Sequence, residues 1–361
     1  MKTNIKKTIF ALILIGILSV IFLSGGKKET DVKIGVMLPL SGGVASAGED
    51  ALAAIEIARD DSGSRAIELL VEDDQFTPKN SVTLFNKFLN TEGLVAIIGP
   101  LNGTSIESLR PLAVANNLSL FTPWGAGNNI GEYVYKNSVE GYEEAELMAK
   151  KAKGLGYTKL AVVYLQNDFG MRYLEAFREV VVSNGAKLVS EEPMPVGAND
   201  FRSIITKVKA SNPDAVYVVN TSSATGEFIK QANEIRLMVP MLGQYAVESS
   251  DIIKIASELA DGLVYTFPIN TELNDAQKVF AEKFTQKTGR IPSMIAYNSY
   301  DIYMALLEAI EKCDTDRVCI NKFLFDLTIV GGISGDFTIK DHKLNRDLYF
   351  KTISGGEFIG L

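Results

Sequence analysis

Histidine, cysteine and tryptophan are scarce in this chain of 361 residues, and their scarcity limits the chemistry that the chain can support. The one histidine, His342, lies in a polar stretch near the carboxyl end, and no serine sits in a sequence that resembles a nucleophile elbow. No G-x-G-x-x-G follows the first predicted strand, and no Walker-type Gly-Lys-Ser/Thr occurs. These absences favour binding over catalysis. We therefore expect no enzyme activity, no cofactor and no metal site.

A basic surface is also lacking. The net charge is −8 and the sequence pI is about 5.0, whereas nucleic-acid binders usually carry a basic patch or stripe. We therefore expect no nucleic-acid partner. The two cysteines, Cys313 and Cys319, are close in sequence, and in an exported protein such a pair predicts a disulfide.

The amino terminus is typical of an export signal. Three lysines within the first seven residues precede an unbroken apolar run over residues 9–23, which is shorter than the stretch of about 20 residues that a membrane span needs. An uncleaved amino-terminal anchor is the alternative. The end of segment 1–26 resembles a bacterial lipoprotein signal, but Gly26 stands where the lipid-bearing cysteine would be, so lipidation at that site is excluded. In either case we expect the body of the protein in the periplasm or at the outer face of the cytoplasmic membrane.

Beyond the amino terminus, strand patterns alternate with helix patterns in two successive series. The first series predicts strands at residues 32–38, 67–71, 95–98 and 118–122, and the second at residues 160–164, 186–190, 215–219, 241–245 and 262–267. Such alternation is typical of a parallel, doubly wound α/β sheet. Helices at 275–288 and 293–313 follow. The tail predicts an antiparallel pair of strands at 335–339 and 348–353. This order indicates two lobes between which the chain crosses more than once.

Several loops lie at the carboxyl ends of strands and lead directly into helices, where exposed N–H groups suit an anion such as a carboxylate. They are the loops at Ser41–Gly42, Asn102–Thr104, Asp168–Gly170 and Thr221–Ser223. Helix capping is the alternative role for Thr104 and Ser222, and Thr104 with Glu107 fits a capping box. Three aromatic residues at strand ends, Trp124, Phe169 and Tyr245, predict walls of a ligand site.

Longer motifs carry a resemblance to a known family. They are IGVMLPLSGGVASAGED, VEDDQFTP, VAIIGPLNGTS, LSLFTPWGAG, LAVVYLQNDFGM, NDFRSIITKVKASNPDAVYV and SMIAYNSYDIYMALLEAI. From residue 32 to about residue 353, the chain resembles type I periplasmic solute-binding proteins, specifically the branched-chain amino-acid (Leu/Ile/Val) branch that serves ABC importers. The resemblance implies two Rossmann-like lobes, residues 31–139 plus 270–330 and residues 140–269 plus 331–361. It also implies a three-strand hinge with crossovers near 137–141, 267–271 and 330–335.

The resemblance further implies a ligand site that includes Ala47, Gly103, Thr104, Trp124, Gly125, Ala126, Phe169, Thr221, Ser222 and Tyr245. The strand-end loop adds Ser41 to this predicted site. In the family, a serine or threonine hydroxyl assists at the positions of Gly103 and Ala126, so here the backbone N–H groups remain for a carboxylate. Tyr245 stands where an acidic residue often meets the ligand ammonium, and a neutral tyrosine cannot pair with that charge as a carboxylate does. Glu248 and Asp168 are the acids that could replace it.

By this resemblance the chain is a monomeric solute receptor that captures a small amphipathic metabolite, an amino acid or a related carboxylate, by closing its lobes. It then presents the closed form to an ABC permease. A ligand-sensing subunit of a signalling system on the same fold is the alternative, and an enzyme on this scaffold is a third reading.

Overall fold

Two β-sheets organise the residues that the computed structural model describes, which are 32–63, 67–124, 131–270, 272–340 and 343–361. The first sheet has the strand order β2-β1-β3-β4-β5, and every neighbouring pair in it is parallel. Its strands are β1 (Val32–Leu38), β2 (Ile67–Asp73), β3 (Leu94–Ile98), β4 (Ser119–Thr122) and β5 (Val134–Lys136). Strand β3 is buried along its whole length, as expected for a parallel strand that is covered by helices on both faces.

The second sheet begins with β6 (Lys159–Leu165), β7 (Lys187–Met194), β8 (Ala215–Val219), β9 (Met241–Leu242) and β10 (Val264–Phe267). A small separate sheet follows, with β11 (Thr328–Ile329), β12 (Phe337–Lys340) and β13 (Lys343–Asn345). Strands β14 (Tyr349–Ser354) and β15 (Glu357–Gly360) then return to the second sheet, whose order is β15-β14-β10-β9-β8-β6-β7. The expectation of two parallel-sheet α/β lobes is thereby confirmed.

The expected pairing of the tail is wrong. Strand β12 pairs with β11 and β13, whereas β14 pairs with β10 and β15, so the two predicted partners lie in different sheets. Each tail segment alternates as an antiparallel strand does, but periodicity does not identify the partner strand. The sequence prediction also omitted β5 and ended β9 too late, because both are short and lack a clear alternation.

Eleven helices lie within the described residues and connect these strands. They are α1 (Ala45–Ser62), α2 (Pro78–Leu89), α3 (Gly103–Ala115), α4 (Gly141–Gly154), α5 (Asp168–Ser183), α6 (Arg202–Ala210), α7 (Ser222–Glu234), α8 (Ser250–Ala256), α9 (Asp275–Thr288), α10 (Met294–Cys313) and α11 (Arg317–Phe325). Short 3₁₀ turns occupy Tyr245–Val247 and Ser257–Ala260. A disulfide between Cys313 and Cys319 joins the end of α10 to α11.

Helix α3 begins differently from the capping box expected at Thr104 and Glu107. Its N-cap is Asn102, whose Oδ1 accepts hydrogen bonds from the Thr104 backbone N–H (3.0 Å) and the Thr104 hydroxyl (2.7 Å). Glu107 instead pairs with Arg110 at 3.3 Å on the helix surface. The capping-box prediction is therefore wrong, because an asparagine two residues earlier competes for the same backbone N–H.

Two glycines let helices begin close against the preceding strand and loop. A Cβ on Gly48 in α1 would lie 2.0 Å from the carbonyl oxygen of Pro39, and a Cβ on Gly170 in α5 would lie 1.9 Å from that of Leu165. Real Cβ atoms do not approach a carbonyl oxygen so closely, so glycine is required at both places. As a result, the chain turns sharply from strand to helix after β1 and after β6, at loops that were predicted to meet a ligand.

The chain crosses between the lobes after β5, after β10 and after β13. Helices α9 and α10, which follow the second crossing, lie against α1. Ion pairs join Lys283 to Asp61 and, at 3.0 Å, Lys287 to Glu56. This packing returns the chain to the first lobe before β14 completes the second sheet. The last crossing thus follows β13 and not residues 330–335, where it was expected, because the small sheet β11–β13 comes first. The boundaries of the two lobes, as divided above, stay a prediction.

Arg346 lies in the last crossing and binds residues of other connecting segments. Its Nη2 donates to Asn137 Oδ1 and, at 3.4 Å, to Ser334 Oγ, while Nη1 donates to Asn298 Oδ1 at 3.3 Å. Asn137 follows β5 and Asn298 belongs to α10. Burial lowers the pKa of Arg346 to about 10, while the nearby charge of Asp301 acts in the opposite direction. One guanidinium therefore joins the first and last crossings to α10.

Asp301 provides the opposite charge for this group. Its carboxylate is buried and accepts hydrogen bonds from the Ser334 backbone N–H (2.8 Å), the Ser334 hydroxyl (2.6 Å) and the Ile333 N–H (3.1 Å). Ser334 thus contacts both charged groups. Removing one partner from a buried charge pair is costly, because the other charge stays buried without compensation.

We therefore expect Arg346→Met to lower the free energy of unfolding by about 3–5 kcal/mol, as measured by urea denaturation. The control is Arg202→Met, which removes an exposed arginine that pairs with Asp200 and Glu234. That change should cost at most about 1 kcal/mol, because exposed ion pairs contribute little. Equal losses in the two variants would contradict the role assigned to Arg346.

Candidate functional site

A cleft lies where loops at the carboxyl ends of strands from both sheets face each other. The first lobe contributes Ala47 near the start of α1 and Trp124 after β4. The second lobe contributes Thr221 and Ser222 after β8 and Tyr245 after β9. The cleft contains about 740 Å³ of empty space, open solvent at its mouth included. Ligands of open α/β sheets bind at such strand ends.

The predicted site residues fall into three groups. Ala47, Trp124, Thr221, Ser222 and Tyr245 line the cleft, and Phe169 contacts the ring of Trp124. Ser41, Gly103 and Thr104 are outside this lining, and Gly125 and Ala126 lie outside the described residues. The roles of all these residues in ligand binding stay predictions.

Capping explains part of the pattern at the α7 loop. Thr221 is the N-cap of α7, and its hydroxyl accepts from the Ala224 N–H at 3.4 Å. Ser222, the next residue, makes no such cap. Its side chain lines the cleft instead, so Thr221 caps the helix and Ser222 faces the cleft.

Aromatic rings form a continuous series across the cleft. The ring centroids of Phe76 and Trp124 are 6.2 Å apart, those of Trp124 and Phe169 are 6.3 Å apart, and those of Phe169 and Tyr173 are 4.7 Å apart. Trp124 and Tyr245 also line the same cleft from opposite lobes. Trp124, at 9% exposure, therefore contacts both lobes and forms the centre of the cleft.

Adjacent carboxylates hold the first-lobe loops in place. Asp73 accepts hydrogen bonds from the Leu40 N–H (2.9 Å), the Ser41 hydroxyl (2.6 Å) and the Gln75 N–H (2.9 Å). Asp74 is buried and accepts from the Phe76 N–H at 3.0 Å. Gln75 and Phe76 both have positive φ angles, 52° and 58°, which side chains other than glycine rarely adopt. These carboxylates thus hold a strained turn that places the Phe76 ring beside Trp124.

Glu144 in α4 supports the second-lobe wall from behind. Its carboxyl group is fully buried and accepts from the Tyr245 backbone N–H at 2.7 Å. It also accepts from the hydroxyls of Thr266 and Tyr173. Burial raises the pKa of Glu144 to about 7, against the opposing effect of these hydrogen bonds. One side chain therefore positions Tyr245 directly and Phe169 through the ring of Tyr173.

Charged residues that the sequence analysis did not identify also line the cleft. Asp50 in α1 is 6% exposed, and its Oδ1 lies 2.7 Å from Nη2 of Arg290, which follows α9. Burial raises the pKa of Asp50 to about 6, although the Ser293 hydroxyl and the Arg290 guanidinium act to lower it. Asp50 could have been identified from the sequence, because it lies on the same helical face as the buried Ala54 and so interrupts an apolar stripe.

Neither acid considered as a replacement for Tyr245 has a free carboxylate facing the cleft centre. Glu248 lines the cleft, but its carboxylate pairs with Lys351 Nζ at 2.7 Å and accepts from the Tyr265 hydroxyl at 2.7 Å. Asp168 is exposed in the first turn of α5.

Among the described residues, no cluster of three or more histidine, cysteine, aspartate or glutamate side chains could hold a metal ion. In the same part of the chain, no helix is both long enough and apolar enough to cross a membrane. His342 lies outside the described residues.

Two α/β lobes, three crossings and a cleft lined from both sides define a two-lobed ligand-binding protein. A family model described as "Periplasmic binding protein" matches residues 31–357. The chain therefore belongs to the periplasmic binding protein family.

Relatives of this chain are named for what they bind. This chain is 23% identical over 308 residues to the Leu/Ile/Val-binding protein of Escherichia coli K12. The match covers 81% of this chain and 83% of that protein. Two solved structures each cover 91% of this chain. One is the solute-binding protein of an ABC transporter from Rhodopseudomonas palustris BisB5 with 3,4-dihydroxybenzoic acid (TM-score 0.85, 21% identity, 96% of that chain). The other is LivJ from Streptococcus pneumoniae with isoleucine (TM-score 0.82, 19% identity, 97% of that chain).

The buried Glu144 predicts a specific dependence of stability on pH. Its pKa rises from 4.5 to about 7 on folding, so between these values the folded state holds a proton that the unfolded state has lost. The contribution of this group to the free energy of unfolding is fully present below pH 4.5, and up to about 3 kcal/mol of it is lost as pH rises through 7. We expect Glu144→Gln, which keeps an acceptor for the Tyr245 N–H, to remove this share of the slope in urea denaturation between pH 5 and pH 8.

Asp50 contributes a slope of the same sign, because its pKa is raised to about 6, so the difference between wild type and variant isolates Glu144. The control is Glu146→Gln in the same helix, where Glu146 is partly exposed and pairs with Lys150 at 2.6 Å. An unchanged slope in Glu144→Gln would show that this carboxyl group does not titrate in the window.

Proposed function

We propose that this protein is the extracytoplasmic solute receptor of an ABC importer, and that it captures a small amphipathic metabolite by closing two lobes around it. The observation that carries the proposal is the cleft, in which residues of both lobes face one space and the Trp124 ring contacts Phe169 of the opposite lobe. A ligand that touches both walls binds the closed form better than the open form, and it therefore shifts the population toward closure.

We place the ligand's carboxylate at the amino terminus of α3 and in the loop after Trp124. Gly103 and Thr104 begin a helix of 13 residues, whose N-terminal N–H groups and dipole favour an anion. Asn102 already occupies the Thr104 hydroxyl and N–H, so the proposal assigns the carboxylate to other backbone N–H groups. Gly125 and Ala126 are kept among them from the sequence prediction. The apolar part of the ligand then lies against the Trp124 and Phe169 rings.

A receptor without catalytic activity fits the residues available. The relatives are named as binding proteins, and the described residues hold no metal cluster. The buried carboxyl group of Glu144 is bonded to Tyr245, Thr266 and Tyr173, so it serves the scaffold rather than a reaction. Saturable binding without turnover of the bound ligand is the expected behaviour.

The proposal has three further parts. Segment 1–26 directs export, the protein is a monomer, and its closed form docks to an ABC permease. The family membership supports the periplasmic side of the membrane, and the basic and apolar pattern of residues 2–23 supports export. A ligand-sensing subunit that passes closure to a separate membrane protein uses the same cleft. Uptake of labelled ligand by vesicles that contain the permease distinguishes transport from sensing.

The first experiment is native mass spectrometry of the purified protein for a bound small molecule. Calorimetry with the identified molecule, and with leucine, isoleucine and benzoate as probes, follows. A saturable 1:1 heat signal without chemical change of the ligand supports the receptor. Conversion of the ligand to a product would overturn it.

Trp124 is the only tryptophan in the chain, so its fluorescence reports on the cleft alone. We expect ligand binding to change the emission of Trp124, and Trp124→Ala to weaken binding by about 2 kcal/mol or more in calorimetry, as for a central aromatic contact. The control is Tyr142→Ala, an aromatic residue that is 47% exposed on α4 and bonded to Glu179. Unchanged affinity in Trp124→Ala would remove this residue from the site.

A further inference from the structure

The part of the cleft between Trp124 and Arg290 is unusually rich in hydroxyl groups. Six serines line it, namely Ser46, Ser222, Ser223, Ser249, Ser250 and Ser293. Ser223, Ser249 and Ser250 have hydrogen-bond partners within the protein. An aliphatic ligand group would leave the buried hydroxyls of Ser222 and Ser293 without one, which is unfavourable. We call this part of the cleft the serine chamber.

Ser222 gives the most direct sign of a missing partner. It is 8% exposed, and no hydrogen-bond partner for its Oγ occurs within the described part of the chain. Buried hydroxyls in folded proteins are almost always hydrogen-bonded, so an orphaned one that lines a cavity indicates a polar ligand group.

Negative charge exceeds positive charge around this chamber. Arg290 pairs with Asp50 at 2.7 Å and with Glu49 at 3.1 Å, and Asp251 acts on it as a further negative charge. Three carboxylates thus share one guanidinium. The Asp251 carboxylate is itself fixed, because it accepts from the Ser223 hydroxyl at 2.8 Å.

Asp50 is not fully compensated by Arg290. Burial, and to a lesser extent the charge of Asp251, raises the pKa of Asp50 to about 6, even though Arg290 lies within ion-pair distance. A second cation beside Asp50 would offset both the burial and the charge of Asp251, since an opposite charge within a few ångströms favours the ionised carboxylate.

From this juxtaposition we propose that the serine chamber is a subsite for an ammonium group at the end of the ligand opposite its carboxylate. Asp50 accepts the charge and Ser222 accepts a hydrogen bond, while Ala47 and Met294 contact the methylene groups between the two ends. The inference rests on the proposed function and specifies its substrate class as small carboxylates with a distal ammonium group.

The test uses two pairs of probes that match in shape and differ by an ammonium in place of a methyl group. They are L-ornithine with L-norleucine, and 4-(aminomethyl)benzoate with 4-ethylbenzoate. In calorimetry we expect the ammonium member of at least one pair to bind tenfold or more tightly than its apolar match. Equal or tighter binding of the apolar members would overturn the subsite and leave the receptor proposal intact.

Variants then assign the preference to this chamber. Asp50→Asn should reduce the ammonium preference to threefold or less and keep the affinity for the apolar probe, which also shows that the variant folds. Asp60→Asn, on the exposed end of the same helix beside Arg59, should keep the full preference. Ser222→Ala should weaken only the ammonium probe, by threefold or more, and it serves where Asp50→Asn does not fold. A preference that survives Asp50→Asn, or survives Ser222→Ala where Asp50→Asn does not fold, would overturn the assignment.

A separate outcome identifies failure of the receptor proposal itself. If none of the four probes binds and native mass spectrometry finds no small molecule, both proposals are overturned. If a molecule co-purifies and lacks a basic nitrogen, only the ammonium subsite is overturned. A co-purified carboxylate that carries an amine at its far end supports both, whereas one whose only amine is α to the carboxylate overturns the ammonium subsite alone.

Discussion

The structure of the cleft depends most on one buried carboxyl group, that of Glu144. It lies just after the first crossing between the lobes and bonds to three elements of the second lobe, at Tyr173, Tyr245 and Thr266. Water cannot replace these partners, because the group is fully buried, and an unpaired carboxylate there would be costly. The position of the Tyr245 wall is therefore set by the same helix that receives the chain from the first lobe.

Buried polar groups recur at the connections between the two lobes. Arg346 and Asp301 join the crossings through Ser334, and Lys351 pairs with Glu248 at the edge of the cleft. Ion pairs are directional, so they specify one arrangement of connecting segments that apolar packing alone would leave less defined. Some apolar clusters lie within one lobe, whereas the largest joins buried residues of both lobes and includes Trp124 and Tyr245. Trp124 therefore belongs both to this shared core and to the cleft wall.

Much of the fold was predictable from local pattern. Alternating strands and helices indicated the parallel sheets, and local signals such as Pro78 in the first turn of α2 after the N-cap Thr77 agree with the helix starts. Errors occurred where distant segments compete. Asn102 displaced the expected cap of α3, and β12 and β14 found separate partners. Of the site, the aromatic residues at strand ends were identified, whereas Asp50 and Arg290 were not. They are 240 residues apart in sequence, and only the packing of α1 against the segment after α9 brings them together.

The sequence by itself determined the α/β class, the positions of most helices and strands, and the loops at the carboxyl ends of strands. These follow from periodicity, capping and turn chemistry within short stretches. Only the tertiary structure decided which loops share a cleft, that Trp124 contacts both lobes, and that carboxylates outnumber the guanidinium in the serine chamber. The physical reason is that the charge balance and burial of a residue depend on its spatial neighbours, which come from segments far apart in the sequence. No local window of sequence contains those neighbours.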